Sequence, residues 1–433
     1  MYTAPVSAAV GLSSSAVSAK PWTLRRVVTA GLIGNVLEWY DFAIYGFFAP
    51  ILAAQFFPSG NRMVSLLAAF GAFAVGFLMR PVGAAVFGHI GDRYGRAHAL
   101  LASVALMAIP TVVMGLLPTY ATIGIAASFL IVLLRMFQGM AVGGEFTASI
   151  VFLAEHAPPG RRGLFASTSV FGATTGTLLG AAVGAALSRA LSPEALAAWG
   201  WRAAFLSGIV VAVVAIIIRR NMFDTPAVVS KVAPLRLAVR HHRTELLRIF
   251  GLNIAPAATY YTLFVYAATW IAESTSVERA TALDLTTLSI LTFLVVVLVA
   301  AYASDRFGRR RLMIIGMGAC LVLAYPLAWL MNRSDVASIA AAQMLFSGLL
   351  AVYMAPIPAF MCESFPRAVR VSAVSVGYGL AYAIFGGTAP AVAVWLISRT
   401  GSDVAFVWYL MVLTSISLIL ALTMRERRGE SLT

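Results

Sequence analysis

The segments "GHIGDRYGRAHAL" at 88–100 and "AYASDRFGRRRLM" at 301–313 are two versions of one pattern. Each contains Asp-Arg-aromatic-Gly-Arg, beginning at Asp92 and at Asp305, 213 residues apart. A second pair follows in the same order. "AEHAPPGRRG" at 154–163 and "CESFPRAVR" at 362–370 place Glu155 and Glu363 208 residues apart. Two hydrophilic loops repeated in the same order at nearly the same spacing imply an internally duplicated chain. Between them the sequence is apolar. In a chain that crosses a bilayer many times, such duplication points to a transporter with its site near midplane between the halves.

The composition agrees. Of 433 residues, 61% are hydrophobic and 11% charged, against about 25% charged in soluble domains. The runs 285–303, 312–331, 371–398 and 404–424 contain no Asp, Glu, Lys or Arg. Roughly 20 apolar residues cross a hydrocarbon core as a helix. Backbone groups in lipid must be satisfied internally, so these runs read as helices. A membrane barrel would alternate polar and apolar residues instead. The expected spans are 27–54, 63–90, 98–117, 121–153, 163–188, 203–218, 249–272, 283–303, 312–331, 336–361, 371–398 and 404–424. The fold class is therefore an all-α membrane protein, with twelve transmembrane helices in two pseudo-symmetric six-helix halves.

Twelve spans put both termini on one side. Of the 31 Lys and Arg residues, 23 fall in segments on that side and 6 in the opposite loops, with Arg80 and Arg135 inside spans. The positive-inside rule makes the richer side cytoplasmic. It also accounts for the net charge of +14, scattered over short loops rather than gathered into a nucleic-acid surface. The expected layout is a cytoplasmic tail at 1–26, a first half at 27–218, a cytoplasmic linker at 219–248, a second half at 249–424 and a tail at 425–433. The linker's "RHHRTELLR" fits a solvated or headgroup-facing loop better than a partner-binding helix. Met1 to Lys20 lacks the apolar core of a cleaved signal peptide. Cys320 and Cys362 lie in apolar runs, and no His/Cys cluster has metal-ligand spacing. No Walker A sequence is present, and no catalytic constellation suggests an enzyme.

Charges inside spans are the candidate machinery. A charge at mid-bilayer costs at least ~2.5–3.5 kcal/mol, so it normally faces a cavity or a partner. "GNVLEWYDF" at 34–42 holds Glu38 and Asp41, three apart and so on one helix face. Helix rise puts Arg80 about 18 Å from the Asp92 end, Asp41 about 22 Å in from Arg26 and Arg135 about 21 Å from the outer face. Glu145 lies about 15 Å from the Glu155 end. Arg135, Gln138 and Glu145 share a stripe within about 80° of arc. The plainer alternative is an ion-pair network that locks the first half. Tyr260, Tyr261, Tyr353, Tyr378 and Tyr382 are weaker candidates to line a cavity. Gly172, Gly176, Gly180 and Gly184 recur every four residues and suit close helix packing.

"GxxxDRxGR" between the second and third spans resembles the major facilitator superfamily over the length of the chain. "GNVLEWYDFAIYGFFAPILAAQFFP", "RPVGAAVFGHIGDRYGR" and "RMFQGMAVGGEF" are similar to the metabolite–proton symporter family of bacterial inner membranes. Members carry carboxylates, other metabolic acids, shikimate, and zwitterions such as betaine and proline. The chain lacks the Gly-Pro motif of drug antiporters in the fifth span. It ends at "RERRGESLT", without the long coiled-coil tail common in osmosensory carriers.

The resemblance implies proton-coupled symport by alternating access in a bacterial inner membrane, with the proton as coupling ion, no other cofactor and no metal. A single copy is the expected functional unit. It also implies that Gly88, Asp92, Arg93, Gly95 and Arg96 latch the cytoplasmic side. Asp305, Arg306, Gly308 and Arg309 form a weaker copy; a purely topogenic loop is the alternative. Two intramembrane arginines favour a small organic anion, a di- or tricarboxylate, held by Arg80 and Arg135 through their planar forks. Gln138 and Asn35 add polar contacts. A betaine- or proline-like zwitterion is the alternative cargo, and a transporter-like sensor the alternative class. Asp41, then Glu145, then Glu38 are the expected proton carriers, because a carboxylate beside an arginine can change protonation when substrate takes that arginine.

Overall fold

The structure is a computed structural model. It describes residues 24–433 except 95, 143–144, 211–212, 215–216, 218–238, 334, 431 and 433, and several helical residues by backbone alone. The expected tail at 1–26 and linker at 219–248 therefore lie mostly outside the described residues. Among those described, all regular structure is helical.

The first half begins with Leu24–Phe47 and Ala49–Phe56, which form span one around a break at Phe48, just before Pro50. Arg62–Leu78 and Arg80–Tyr94 form span two around Met79, where Pro81 supplies no amide hydrogen. Arg96–Leu116 is span three, Ile125–Ala141 with Glu145–Glu155 span four, and Arg162–Ala190 span five. Span six begins at Trp201, two residues before its expected start. In the second half, Arg243–Tyr261, a wide turn at Thr262–Tyr266 and Ala267–Ser274 make span seven. Spans eight to ten are Arg279–Phe307, Arg309–Met331 and Val336–Met354 with Ile357–Glu363. Span eleven joins Arg370–Ala381, a wide turn at Tyr382–Gly386 and Ala389–Thr400; span twelve is Phe406–Thr423. Eight helices among the described residues are long and apolar enough to cross a bilayer unaided.

Two expectations change. The helix of span seven starts at Arg243, before the expected span start at 249, and buries Leu246. The repeated motif is not a loop. Asp305 closes span eight, Arg309 opens span nine, and only Gly308 separates the helices, at φ 103°. A side chain rarely adopts that angle, so the motif needs its glycine.

The glycine face of span five packs as expected on span one. A Cβ on Gly176 would lie 2.2 Å from the Val36 carbonyl oxygen. The halves meet through spans one, two, four and five against seven, eight, ten and eleven. On the face carrying the C-terminus, Asp305 and Glu363 of the second half meet the start of span five, and Arg370 pairs with Glu155 at 2.5 Å. On the opposite face, Arg62 pairs with Glu273, Arg189 with Asp284, and Arg279 donates to the Phe47 carbonyl. Contacts between the halves thus close both ends.

Candidate functional site

A buried hydrogen-bond chain crosses the first half. Arg135 Nη1 donates to Gln138 Oε1 at 2.8 Å, and Gln138 Nε2 donates to Thr111 Oγ1 at 2.7 Å. The Thr111 hydroxyl has one proton and two acceptors, Asp41 Oδ2 at 2.8 Å and the Met107 carbonyl at 2.9 Å. Spans four, three and one are thereby linked from guanidinium to carboxylate. Asp41 retains 6% exposure, Thr111 1%, and Arg135 and Gln138 none. Gly208 of span six lies against the carboxylate, where a Cβ would come within 3.3 Å of Asp41 Oδ1.

The two arginines occupy different surroundings. The Arg135 guanidinium lies 4.5 Å from the Phe42 ring centre, 4.4 Å from Tyr45 and 5.2 Å from Phe73, all in the first half. Arg80 lies 4.0 Å from Phe77, 5.1 Å from Phe42 and 5.8 Å from Trp39. Its Nε and Nη2 are buried without a hydrogen-bond partner. Phe77 and Trp39 in turn meet Tyr261 of the second half, at 4.9 and 5.9 Å. Arg135 likewise leaves Nε and Nη2 unpaired, and its ring neighbour Phe73 lies 5.9 Å from Tyr261, so the two arginines differ chiefly in that Arg135 alone is bonded to Gln138 among the described residues. No ion pair joins Asp41 to either arginine among the described residues.

At the seam between the halves five aromatic rings form a closed circuit. Trp39 meets Phe146 at 5.7 Å, Phe146 meets Tyr378 at 5.0 Å, Tyr378 stacks on Tyr382 at 3.9 Å, Tyr382 meets Tyr261 at 6.3 Å, and Tyr261 stacks on Trp39 at 5.9 Å. Glycines make room for it. A Cβ on Gly386 would lie 2.9 Å from the Tyr261 ring, and one on Gly387 2.4 Å from Phe77. The two wide turns, Thr262–Tyr266 and Tyr382–Gly386, adjoin the circuit; such turns are frequent at functional sites. Trp39 Nε1 and Tyr261 OH are buried without a partner.

The structure thus brings together Asp41, Arg135 and Gln138, and sets Arg80 and Glu38 near the seam tyrosines. Gln138 is bonded at both ends within the chain, and Asn35 donates to Ser149 Oγ at 3.1 Å and the Ser169 carbonyl at 3.4 Å, so both are engaged within the first half. Tyr353 packs on Gly316 and joins no ring of the circuit. Glu145 begins a helix segment, but its side chain lies outside the described residues, as do Gly95 and the side chains of Gly88, Asp92 and Arg96. Arg93 is exposed.

The second copy of the motif is fully visible. Asp305 pairs with Arg309 at 2.8 Å, and Arg309 reaches Glu363 at 3.2 Å. Arg306 instead lies outside, stacked 4.7 Å from Tyr302. Sequence reasoning passed over Thr111, Trp39 and Phe146. Trp39 had a signal, since it sits beside Glu38 in the stretch already singled out; a lone threonine and a lone phenylalanine in apolar spans carried none.

Residues 27–232 match the family model for sugar (and other) transporters, and residues 249–432 that for the major facilitator superfamily. The chain is 34% identical to the proline/betaine transporter of Salmonella typhimurium, covering 94% of this chain and 85% of that one. It is also 34% identical to the alpha-ketoglutarate permease of Escherichia coli, covering 95% and 96%. The crystal structure of a D-xylose-proton symporter superposes with a TM-score of 0.74 at 19% identity, covering 94% of this chain and 99% of that one. Fold and sequence agree that this chain is a multi-pass membrane transporter, not an enzyme, belonging to the metabolite–proton symporter family of the major facilitator superfamily.

Proposed function

We propose that the chain imports a small zwitterion bearing one carboxylate, of the proline or betaine kind, together with a proton across a bacterial inner membrane. The observation that carries this is the position of Arg80. Its Nε and Nη2 are buried with no partner and free to take a carboxylate; Arg135 also leaves Nε and Nη2 unpaired, but its Nη1 is already given to Gln138. The case for a multivalent anion needed two such arginines. Arg135 is engaged by Gln138 and enclosed by rings of its own half. The relatives named as proline/betaine transporters support the same class.

Proton coupling is assigned to Asp41. With the carboxylate ionised, the Thr111 hydroxyl points to it; with the carboxyl protonated, the hydroxyl turns to the Met107 carbonyl and accepts from Asp41 instead. Gln138 donates to the same hydroxyl in both states and ties it to Arg135, so the arginine's charge acts on the carboxyl across this chain. Whatever charge arrives at the arginines therefore biases the proton, and by linkage the proton biases cargo binding equally. Glu145 and Glu38 remain second and third candidates. The Asp305–Arg309 motif latches the cytoplasmic side onto span five.

A dicarboxylate is the second reading, favoured by the likeness to the alpha-ketoglutarate permease. Uptake of labelled glycine betaine, proline and 2-oxoglutarate into proteoliposomes, with and without an acidic exterior, separates them. Accumulation of 2-oxoglutarate alone would overturn the zwitterion reading.

A further inference from the structure

The aromatic circuit has features that core packing does not require. It draws Trp39 and Phe146 from the first half and Tyr261, Tyr378 and Tyr382 from the second, so it opens only when the halves part. Three polar groups of the circuit, Trp39 Nε1, Tyr261 OH and Tyr378 OH, are buried with nothing to bond. Trp39 retains 3% exposure and Tyr261 1%. Arg80, with its own unused donors, stands against the Trp39 face of the circuit at 5.8 Å.

We propose that this circuit is the cation-binding part of the substrate site and selects N-methylated or ring ammonium groups over primary ones. This rests on the zwitterion reading and adds the residues that read the cationic end. The cargo's carboxylate meets Arg80, Trp39 Nε1 and Tyr261 OH, while its ammonium lies against the ring faces. Aromatic faces attract a cation within about 6 Å of the ring centre, most strongly in a desolvated site. Ring faces are poor hydrogen-bond acceptors. A primary ammonium lying on them has three N–H donors to satisfy and only the tyrosine hydroxyls at the rim to take them, and buried unpaired donors are costly. A trimethylated nitrogen has no N–H to lose, and the ring nitrogen of proline has two. The order of preference is therefore trimethylated ammonium, then proline, then a primary amino acid.

The test uses the full chain in proteoliposomes. Half-saturating concentrations for glycine betaine, N,N-dimethylglycine, proline and glycine are measured for wild type, Tyr261→Phe, Tyr261→Leu, Tyr378→Leu and Phe146→Leu. Phenylalanine keeps the ring face and should preserve the preference for betaine over glycine. Leucine at 261 or 378 should reduce that preference by about tenfold or more, the size of one desolvated cation–π contact. Proline counterflow establishes that each variant is folded. Using three positions keeps the test decisive where one variant does not fold. If wild type moves zwitterions but every leucine variant keeps the wild-type ratio, the circuit is only packing and this inference falls alone. If wild type moves 2-oxoglutarate and no zwitterion, the functional reading falls and takes this inference with it.

Discussion

The carboxylate of Asp305, in the second half, caps the helix of Gly163 in the first. Gly163 N donates to Oδ1 at 2.8 Å and Leu164 N to Oδ2 at 2.9 Å, while Arg309 holds the same carboxylate at 2.8 Å. A helix N-terminus offers unpaired amide donors and a partial positive charge, so an acid there is favoured. On the latch reading proposed above, opening the carrier towards the cytoplasm breaks this cap.

Asp305→Ala should therefore shift the population towards the state open on this face. Hydrogen bonds to charged groups contribute about 1.5–3 kcal/mol each. Losing both should change the open fraction by at least about tenfold. Cys362 is a built-in reporter, fully buried beside Glu363. In a Cys320→Ala background, Asp305→Ala should speed maleimide labelling of Cys362 by about that factor. Unchanged labelling would leave the motif a merely topogenic element.

Glu155→Gln should do less. Its partner Arg370 is held also by the Cys362 and Phe365 carbonyls at 3.0 and 3.1 Å, and the Glu155 side chain is 26% exposed. Partly solvated pairs contribute about 1 kcal/mol or less. Labelling of Cys362 should rise only a fewfold, so an effect matching Asp305→Ala would contradict this ranking.

Thr111→Val removes the hydroxyl that joins Gln138 to Asp41 without changing the side chain's shape. Accumulation driven by a pH gradient is expected to fall by about tenfold, with counterflow exchange near wild type, and Thr111→Ser should restore coupling. Asp41→Asn is expected to lose gradient-driven accumulation while keeping exchange. Full accumulation by Asp41→Asn would move the proton to Glu145.

Gly387→Val places atoms where Phe77 now lies, 2.4 Å from the Cβ position. The clash crosses the two halves, so each half should still fold while closure is barred. Net uptake should drop by more than about tenfold, with the melting temperature in detergent changed by only a few degrees. Collapse of the melting transition would show that the contact is needed for folding itself.

Much of this was legible in the sequence, and the reasons differ by element. The duplicated motif, the uncharged runs and the basic bias each record a constraint that lipid imposes, so they pointed to the architecture and to the four buried charges Glu38, Asp41, Arg80 and Arg135. Asp41 and Arg135 stood out because a charge among apolar residues is costly. Their connection did not, since Thr111 lies on a different span from both, 70 residues from Asp41 and 27 from Gln138, and a threonine in an apolar helix is ordinary. The aromatic circuit was half visible: Tyr378 and Tyr382 are four apart on one helix face, but which rings oppose them depends on how the halves dock. Gln138 was assigned to cargo because it shares a face with Arg135, and the same proximity is what binds it to that arginine instead.

Arginine side chains as a class keep their charge across the physiological pH range. A proton accepted at Asp41 is then not offset by loss of one from a buried base nearby. A zwitterion adds no net charge. Each inward turnover with one proton should move one positive charge across the bilayer, worth about 2.3 kcal/mol per 100 mV. An interior-negative membrane potential would then concentrate cargo even where the pH is equal on both sides. A dianion carried with one proton would move charge in the opposite sense, against that potential. The sign of the current when substrate is added to a planar membrane holding the protein is therefore set by the chemistry of the cargo.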